Sequence, residues 1–243
     1  MPFTVSHAAV VLPLLRYRRL DPLGLVIGSM VPDLGYYFHR FDLASQAHSF
    51  RGSLQIALPL GWLIWLAMRT GGRILAAPLP DPERSWVTGF LRTAPPSPAW
   101  RQVTVSLLLG IWSHNFLDAF THASGWFVQR FSLLHEPCPL FHVLQHLGSV
   151  AGMLILLGVY IARRRVLGRW HWTSRHRELA LGGLLGVAVA FPIAWSFASR
   201  FEGWLMVRAL GFRWIITSLA LASLAYLVFG LFLWISERKT RSD

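Results

Sequence analysis

Six side chains of cation-ligating type stand out by position: His7, Asp33, His48, His114, Asp118 and His122. Residues four apart share a helix face, so His114 and Asp118 can grip one ion together. His114 and His122 are eight apart, about 12 Å along a helix axis, which is too far for one ion to be held comfortably by both. Asp118 stands between them and has two oxygens. Two arrangements remain open: one ion on His114 and Asp118 with His7, Asp33 or His48, or two ions that share Asp118. Mixed imidazole and carboxylate ligands suit zinc first, then manganese or iron, and suit calcium poorly. Such an ion lowers the pKa of bound water to about 7 and polarises a substrate oxygen. Asp33 or Asp118 would then be a ligand or a general base.

These residues are useful together only if the chain brings them to one depth. A membrane span needs about 20 mostly apolar residues, and four stretches qualify directly: Phe50–Met68, Val143–Ala162, Leu179–Ser199 and Trp214–Ile235. A fifth, Val103–Thr121, carries Ser113, His114, Asn115 and Asp118, polar groups that should face a protein interior or an aqueous cavity. The first forty residues read as a helical hairpin. Thr4–Arg16 is too short to cross, Leu23–Phe38 is broken by Pro32-Asp33, and a charged turn at Arg16–Pro22 joins them. Gly24 and Gly28 offer a small face for close helix contact. Because the positive residues follow the first apolar run, it does not read as a signal peptide. His7 and Asp33 both lie roughly 14–16 Å from the hairpin tip. His48 precedes one span and His114–His122 ends the next, so all six groups reach the same end of the bundle. The fold class expected is all-α, a polytopic transmembrane bundle of about five spans plus the hairpin. It forms one membrane domain, with residues 1–160 carrying the metal-site helices and 161–243 adding two more. Thr70–Trp100 reads as a loop with at most short helices, and Arg163–Arg177 as a basic connector.

Composition supports this class. Of 243 residues, 54% are hydrophobic and only 14% charged, against about 25% charged in soluble chains. The single cysteine, Cys138, excludes an internal disulfide and an all-cysteine zinc site. A net charge of +12 suggests nucleic acid until the charges are located. Alternating the spans puts 17 of the 23 basic residues on one side, including Arg16, Arg18, Arg19, Arg163–Arg165 and Arg238. The positive-inside rule makes that side cytoplasmic, with the C-terminus inside an inner-membrane protein. The charge is then topology plus attraction to anionic lipid, and no nucleic-acid partner is expected. Nothing in the sequence sets the oligomeric state.

Each polar group also has a plain structural explanation. Asp33 can stop a helix, His48-Ser49 can cap the next, and His114 with Asp118 can stitch helices by a hydrogen bond. None of these explanations predicts a shared level. A further group, His135, Glu136, His142 and His146, lies at the outer loop and the start of the following span. There His142 and His146 could complete a second ion site or take up a leaving-group proton. Arg40, Arg51 and Arg130 on the same side could hold a phosphate. His39, His171 and His176 read as loop residues, and Cys138 has no partner base.

The segments Met1–His7, Val31-Pro-Asp33, Ala47-His48-Ser49 and Ser113-His114-Asn-Phe-Leu-Asp118-Ala-Phe-Thr-His122 together resemble an uncharacterised bacterial integral-membrane family, the domain-of-unknown-function family 4184. Gly125-Trp126-Phe127 and Leu144-Gln145-His146 fit it as well, so the resemblance spans roughly residues 1–160. That family resembles membrane-bound metal-dependent hydrolases and, more distantly, the zinc-dependent phospholipase C enzymes. The resemblance implies metal-assisted hydrolysis of a phosphoester by His7, Asp33, His48, His114 and Asp118, with His122 beside them. Ala8 stands where the family has proline, and His142 is followed by His146 where the phospholipase pattern has glutamate.

The expectation is a membrane-bound hydrolase of a phosphoester in a lipid or lipid-linked substrate, acting near the outer face. Its rivals are a scaffold subunit stitched by the same His and Asp groups, and an ion or solute transporter that uses them as a relay.

Overall fold

The computed structural model describes residues 4–93, 99–136, 139–167 and 173–242, and Cys138, Arg169 and His171 lie outside the described residues. Everything described is helix, turn or irregular, and no strand occurs among the described residues. Among the described residues four helices are long and apolar enough to cross a membrane: α8 (Trp100–Thr121), α9 (Leu140–Leu167, qualifying over Leu140–Arg164), α10 (Ser174–Ala198) and α11 (Gly203–Ser242, qualifying over Gly203–Glu237). Alpha-helical spans satisfy every backbone hydrogen bond internally, which hydrocarbon demands.

The chain divides into two compact units. The first, residues 1–35, 40–66 and 94–169, holds every residue singled out above as a candidate metal ligand. It opens with a 3-10 turn (Thr4–His7), a single turn of α-helix, α1 (Ala8–Val11), and a second 3-10 turn (Leu12–Arg16). After the charged turn come α2 (Pro22–Gly28), a 3-10 turn (Val31–Asp33) and α3 (Leu34–Tyr37), so the hairpin is present and Pro32-Asp33 does interrupt its second arm. Asp21 caps α2 by accepting from the Gly24 backbone N–H at 2.6 Å, with Pro22 at the first helical position. Its other contact is the Trp65 indole N–H at 2.9 Å, so a fully buried carboxylate fastens the hairpin turn to a neighbouring helix.

The small face predicted on α2 packs against α8. A Cβ at Gly28 would run into the Leu107 carbonyl, and one at Gly110 would lie 2.5 Å from the Leu25 oxygen. Backbones this close are what small residues permit in membrane helices. Gly152 plays the same part on α9, where a Cβ would sit 2.7 Å from the Ser6 carbonyl oxygen, whereas nothing approaches Gly148.

The stretch expected as the span Phe50–Met68 is helical but divided. After α4 (Phe41–Ala47), α5 (Phe50–Gly52) passes through a π turn (Ser53–Ala57) into α6 (Leu58–Ala76). The α6 helix runs past Arg69 and Arg73, residues that hydropathy had placed in a loop. The helix α7 (Glu83–Thr93) also lies in that predicted loop and is longer than the short pieces anticipated. Likewise Arg163–Arg177 is largely helical at both ends, because α9 continues to Leu167 and α10 starts at Ser174. Arginine stems are good helix formers, so charge alone does not end a helix as it leaves the apolar layer.

In the second unit, residues 36–39, 67–93 and 170–243, α10 packs along α11. His176, expected in a loop, lies in the first turn of α10, where it forms a capping box with Thr173. Arg84 donates to both Glu237 oxygens at 2.8 and 2.9 Å, and the Tyr226 hydroxyl donates to the Leu75 carbonyl.

Candidate metal centre

Four ligand-bearing residues come from three places in the first unit. Asp33 ends the 3-10 turn after α2, His48 is the C-cap of α4, and His114 and Asp118 lie one turn apart on α8. Each offers one ligand atom within 4.8 Å of the others. Nε2 of His48 lies 3.1 Å from Asp118 Oδ2, 3.4 Å from Asp33 Oδ1 and 3.1 Å from Nε2 of His114. Nε2 of His114 lies 3.4 Å from Asp118 Oδ2 and 3.6 Å from Asp33 Oδ1. A tetrahedral zinc with bonds of about 2.0–2.1 Å separates its ligand atoms by about 3.3–3.4 Å. The five separations scatter around that value.

Local structure aims these atoms. Nδ1 of His48 donates to the Ala44 carbonyl at 2.7 Å, and Nδ1 of His114 donates to the Ser29 carbonyl at 2.9 Å. Each Nε2 is thereby the atom turned toward the carboxylates and toward the other ring, the usual outer support of a metal-binding imidazole. Thr4 Oγ1 donates to Asp33 Oδ2 at 2.7 Å and so turns the other oxygen inward. Ser49 caps α5, accepting from the Gly52 N–H at 2.9 Å, and the π turn that follows lets Ser53 accept from the Asn115 amide at 3.0 Å. That bond ties the His48 corner to α8. π turns often occur at functional positions because the extra residue re-aims the chain.

The electrostatics require positive charge at the centre. Asp33 and His114 are each 1% exposed, and Asp118 7%. Two carboxylates and two imidazole nitrogens at these distances repel unless a proton or a metal ion lies among them. Burial works against a charge on His48, yet the hydrogen bonds with Asp118 and Asp33 outweigh it and hold the imidazole well above its ordinary value. For Asp33 burial again opposes ionisation, and the partners His114 and His48 overcome it, which keeps the carboxylate below the usual range. Protons on both imidazoles would set two charged rings 3.1 Å apart at Nε2. A single divalent ion would remove that repulsion, and two imidazoles with two carboxylates could hold one.

The other two predicted ligands flank the second oxygen of Asp118. His7 Nε2 lies 3.6 Å and His122 Nδ1 3.4 Å from Oδ1. The His7 ring stacks on His114 with centroids 3.8 Å apart. It is 3% exposed, and neither of its nitrogens has a hydrogen-bond partner. A buried imidazole with both nitrogens unpartnered is costly, and here one of them faces the cluster.

The residues expected to meet substrate are placed less tightly. Arg40 is engaged by Asp42 at 2.8 Å, which gives it a partner of its own. Arg51 donates to Gln55, and Arg130 lies over the Trp126 ring at 4.2 Å; both are exposed. His135 pairs with Glu136 at 3.8 Å, apart from the cluster, and His146 is exposed on α9. His142 does connect to the site, through a residue quoted above only within Leu144-Gln145-His146 and given no role: Gln145, buried on α9, lies 3.4 Å from both His142 Nδ1 and His122 Nε2. Thr4, Ser29 and Asn115 were also missed. Ser29 acts through its backbone, which no residue type reveals, and Asn115 was visible only as one polar residue among others in α8.

Together these features define a polytopic helical membrane protein with a buried His/Asp cluster suited to a divalent metal. The chain belongs to the family described as a domain of unknown function, DUF4184, whose model matches residues 1–234. No curated protein and no solved structure matches it.

Proposed function

We propose that this protein is a membrane-bound, metal-dependent hydrolase of a phosphoester carried by a lipid or lipid-linked substrate. The observation that supports this most is the meeting of Asp33, His48, His114 and Asp118 at metal-ligand spacing, each aimed by an outer hydrogen bond or by its helix turn. A divalent ion held there supplies Lewis acidity and a bound water of lowered pKa.

The remaining work falls to the chain's own residues. Asp118 Oδ1 has no hydrogen-bond partner and sits between His7 and His122, in position to accept a proton from an attacking water. Gln145 lies between His122 and the exposed His142, its amide facing His122 Nε2 and its carbonyl facing His142 Nδ1, and so orients both rings beside that oxygen. His7 and His122 with Oδ1 also form the donor set on which a second ion would share Asp118. Arg51 and Arg130 are the exposed cations available for a phosphate. By the distribution of arginines the site opens on the outer side of the inner membrane, with the C-terminus cytoplasmic.

The cluster's own hydrogen bonds favour one other reading, a metal-free scaffold in which His48 and His114 carry protons to the two aspartates. The test is hydrolysis of a phospholipid headgroup ester by the purified protein in vesicles, in the presence of zinc or manganese. Metal-dependent release that disappears in Asp118→Asn is expected. Metal retention without release from any phosphoester would overturn the hydrolase, and absence of metal at any stoichiometry would favour the scaffold.

A further inference from the structure

Beside the cluster runs a groove of about 530 Å3, formed by the N-terminal turns, the second half of α8 and the first half of α9. Its volume is within the range of about 300–1,000 Å3 usual for ligand sites. Along its length Val10, Phe116, Phe120, Leu144, Gly148 and Ile155 form an almost wholly apolar wall. Its polar groups are few: Ser6, His7, Thr121 and Gln145. His7 and Gln145 are also the residues that touch the cluster, His7 through its stack on His114 and Gln145 through His122. One end of the groove is thus the wall of the metal centre. Leu144 and Ile155 are eleven residues apart on α9, about 16 Å at 1.5 Å per residue. That matches half of a hydrocarbon core about 30 Å thick, the depth of one leaflet. Val10, Phe116 and Ile155 are exposed at its edge, on helices that lipid would surround.

We infer that this groove is an acyl-chain site, which holds one hydrocarbon tail of a membrane phospholipid so that its headgroup phosphoester lies at the His/Asp cluster. The inference rests on the proposed function and adds the substrate class: a lipid with a tail long enough to fill one leaflet. A water-soluble phosphoester would use the cluster and leave the groove empty. Gly148 suits a test, because nothing lies within 4 Å of a Cβ built there and a larger side chain enters the groove without striking backbone. Gly158, equally open on the same helix and outside the groove, is the control.

The experiment uses the full chain in phosphatidylethanolamine–phosphatidylglycerol vesicles that contain a phospholipid with a photoreactive diazirine in its tail. Cross-links are mapped by mass spectrometry on the native sequence, on Gly148→Leu and on Gly158→Leu. The expected result is labelling concentrated on Phe116–Thr121 and Leu144–Ile155, reduced at least fivefold by Gly148→Leu and unchanged by Gly158→Leu. Labelling spread evenly around α9 and insensitive to Gly148→Leu would show annular lipid only and overturn the inference. This readout needs no turnover, so it stands apart from failure of the hydrolase reading. Where hydrolysis is measured, Gly148→Leu should lower kcat/KM for a long-chain phospholipid at least tenfold and leave a short soluble phosphoester and the metal content unchanged. Equal loss on both substrates would also contradict it.

Discussion

Replacing Gly110 by alanine tests whether the α2–α8 contact sets the metal centre. A Cβ there would lie 2.5 Å from the Leu25 oxygen and 2.7 Å from the Ser29 nitrogen, where ordinary contact begins at 3.4 Å. The end of α2 must therefore retreat by about 0.7–0.9 Å, a change of the kind that costs about 1–3 kcal/mol in a packed interior. Ser29 moves with it. Its carbonyl accepts from His114 Nδ1 at 2.9 Å, and the same displacement stretches that bond to about 3.7 Å, past useful hydrogen-bond length. Loss of an outer partner of a ligand histidine weakens metal binding about 10–100-fold. The assay is competition against a chelator of known affinity, run on detergent-purified protein beside a thermal melt. Gly158→Ala, with open space at its Cβ, should change neither reading. Wild-type affinity in Gly110→Ala would refute the chain of reasoning from backbone approach to ligand orientation.

Three other outcomes follow from the same geometry. Thr4→Val removes the 2.7 Å hydrogen bond to Asp33 and should cost about 1.5–3 kcal/mol of stability with a measurable fall in metal affinity; an unchanged melt and affinity would separate the N-terminal turn from the site. Asp21→Ala deletes the α2 cap and the Trp65 contact and should destabilise by about 0.5–2 kcal/mol or more, yet leave metal stoichiometry intact once folded. Because His48 holds its proton above the ordinary histidine range until an ion displaces it, metal uptake should release protons. Apparent affinity should then fall about tenfold per pH unit for each proton displaced as the medium is acidified. Calorimetry in two buffers of different ionisation enthalpy counts those protons, and a count of zero would contradict the ligand assignment.

Much of the site was legible because membrane chains restrict where polar residues can stand. His114 and Asp118, with Ser113 and Asn115, inside a largely apolar segment had to face the interior, and the four-residue spacing of His114 and Asp118 fixed one face of α8. Equal distances from the hairpin turn placed His7 and Asp33 at one level, and the Thr4–Asp33 bond reflects that neighbourhood. Gly28 and Gly110 were readable as close-approach positions only in part, since the partner surface of a small residue carries no signal of its own. Helix ends were poorly legible. The helices run on past Arg73 and as far as Leu167 because helical hydrogen bonding does not depend on apolarity, whereas hydropathy marks only the layer a helix crosses. The π turn at Ser53–Ala57 had no sequence signal, and the partner its first residue meets, Asn115, is 62 residues on. Gln145 stood in the sequence only as part of the family-like stretch Leu144-Gln145-His146, with no role of its own, yet it connects α9 to His122.

The most direct measurement is elemental analysis of the purified protein beside the double variant His114→Ala/Asp118→Ala. At least one zinc, manganese or iron per chain is predicted for the native sequence and less than a tenth of that for the variant, both folded by circular dichroism. A native protein without metal, or a folded variant that keeps the full stoichiometry, would contradict the metal centre.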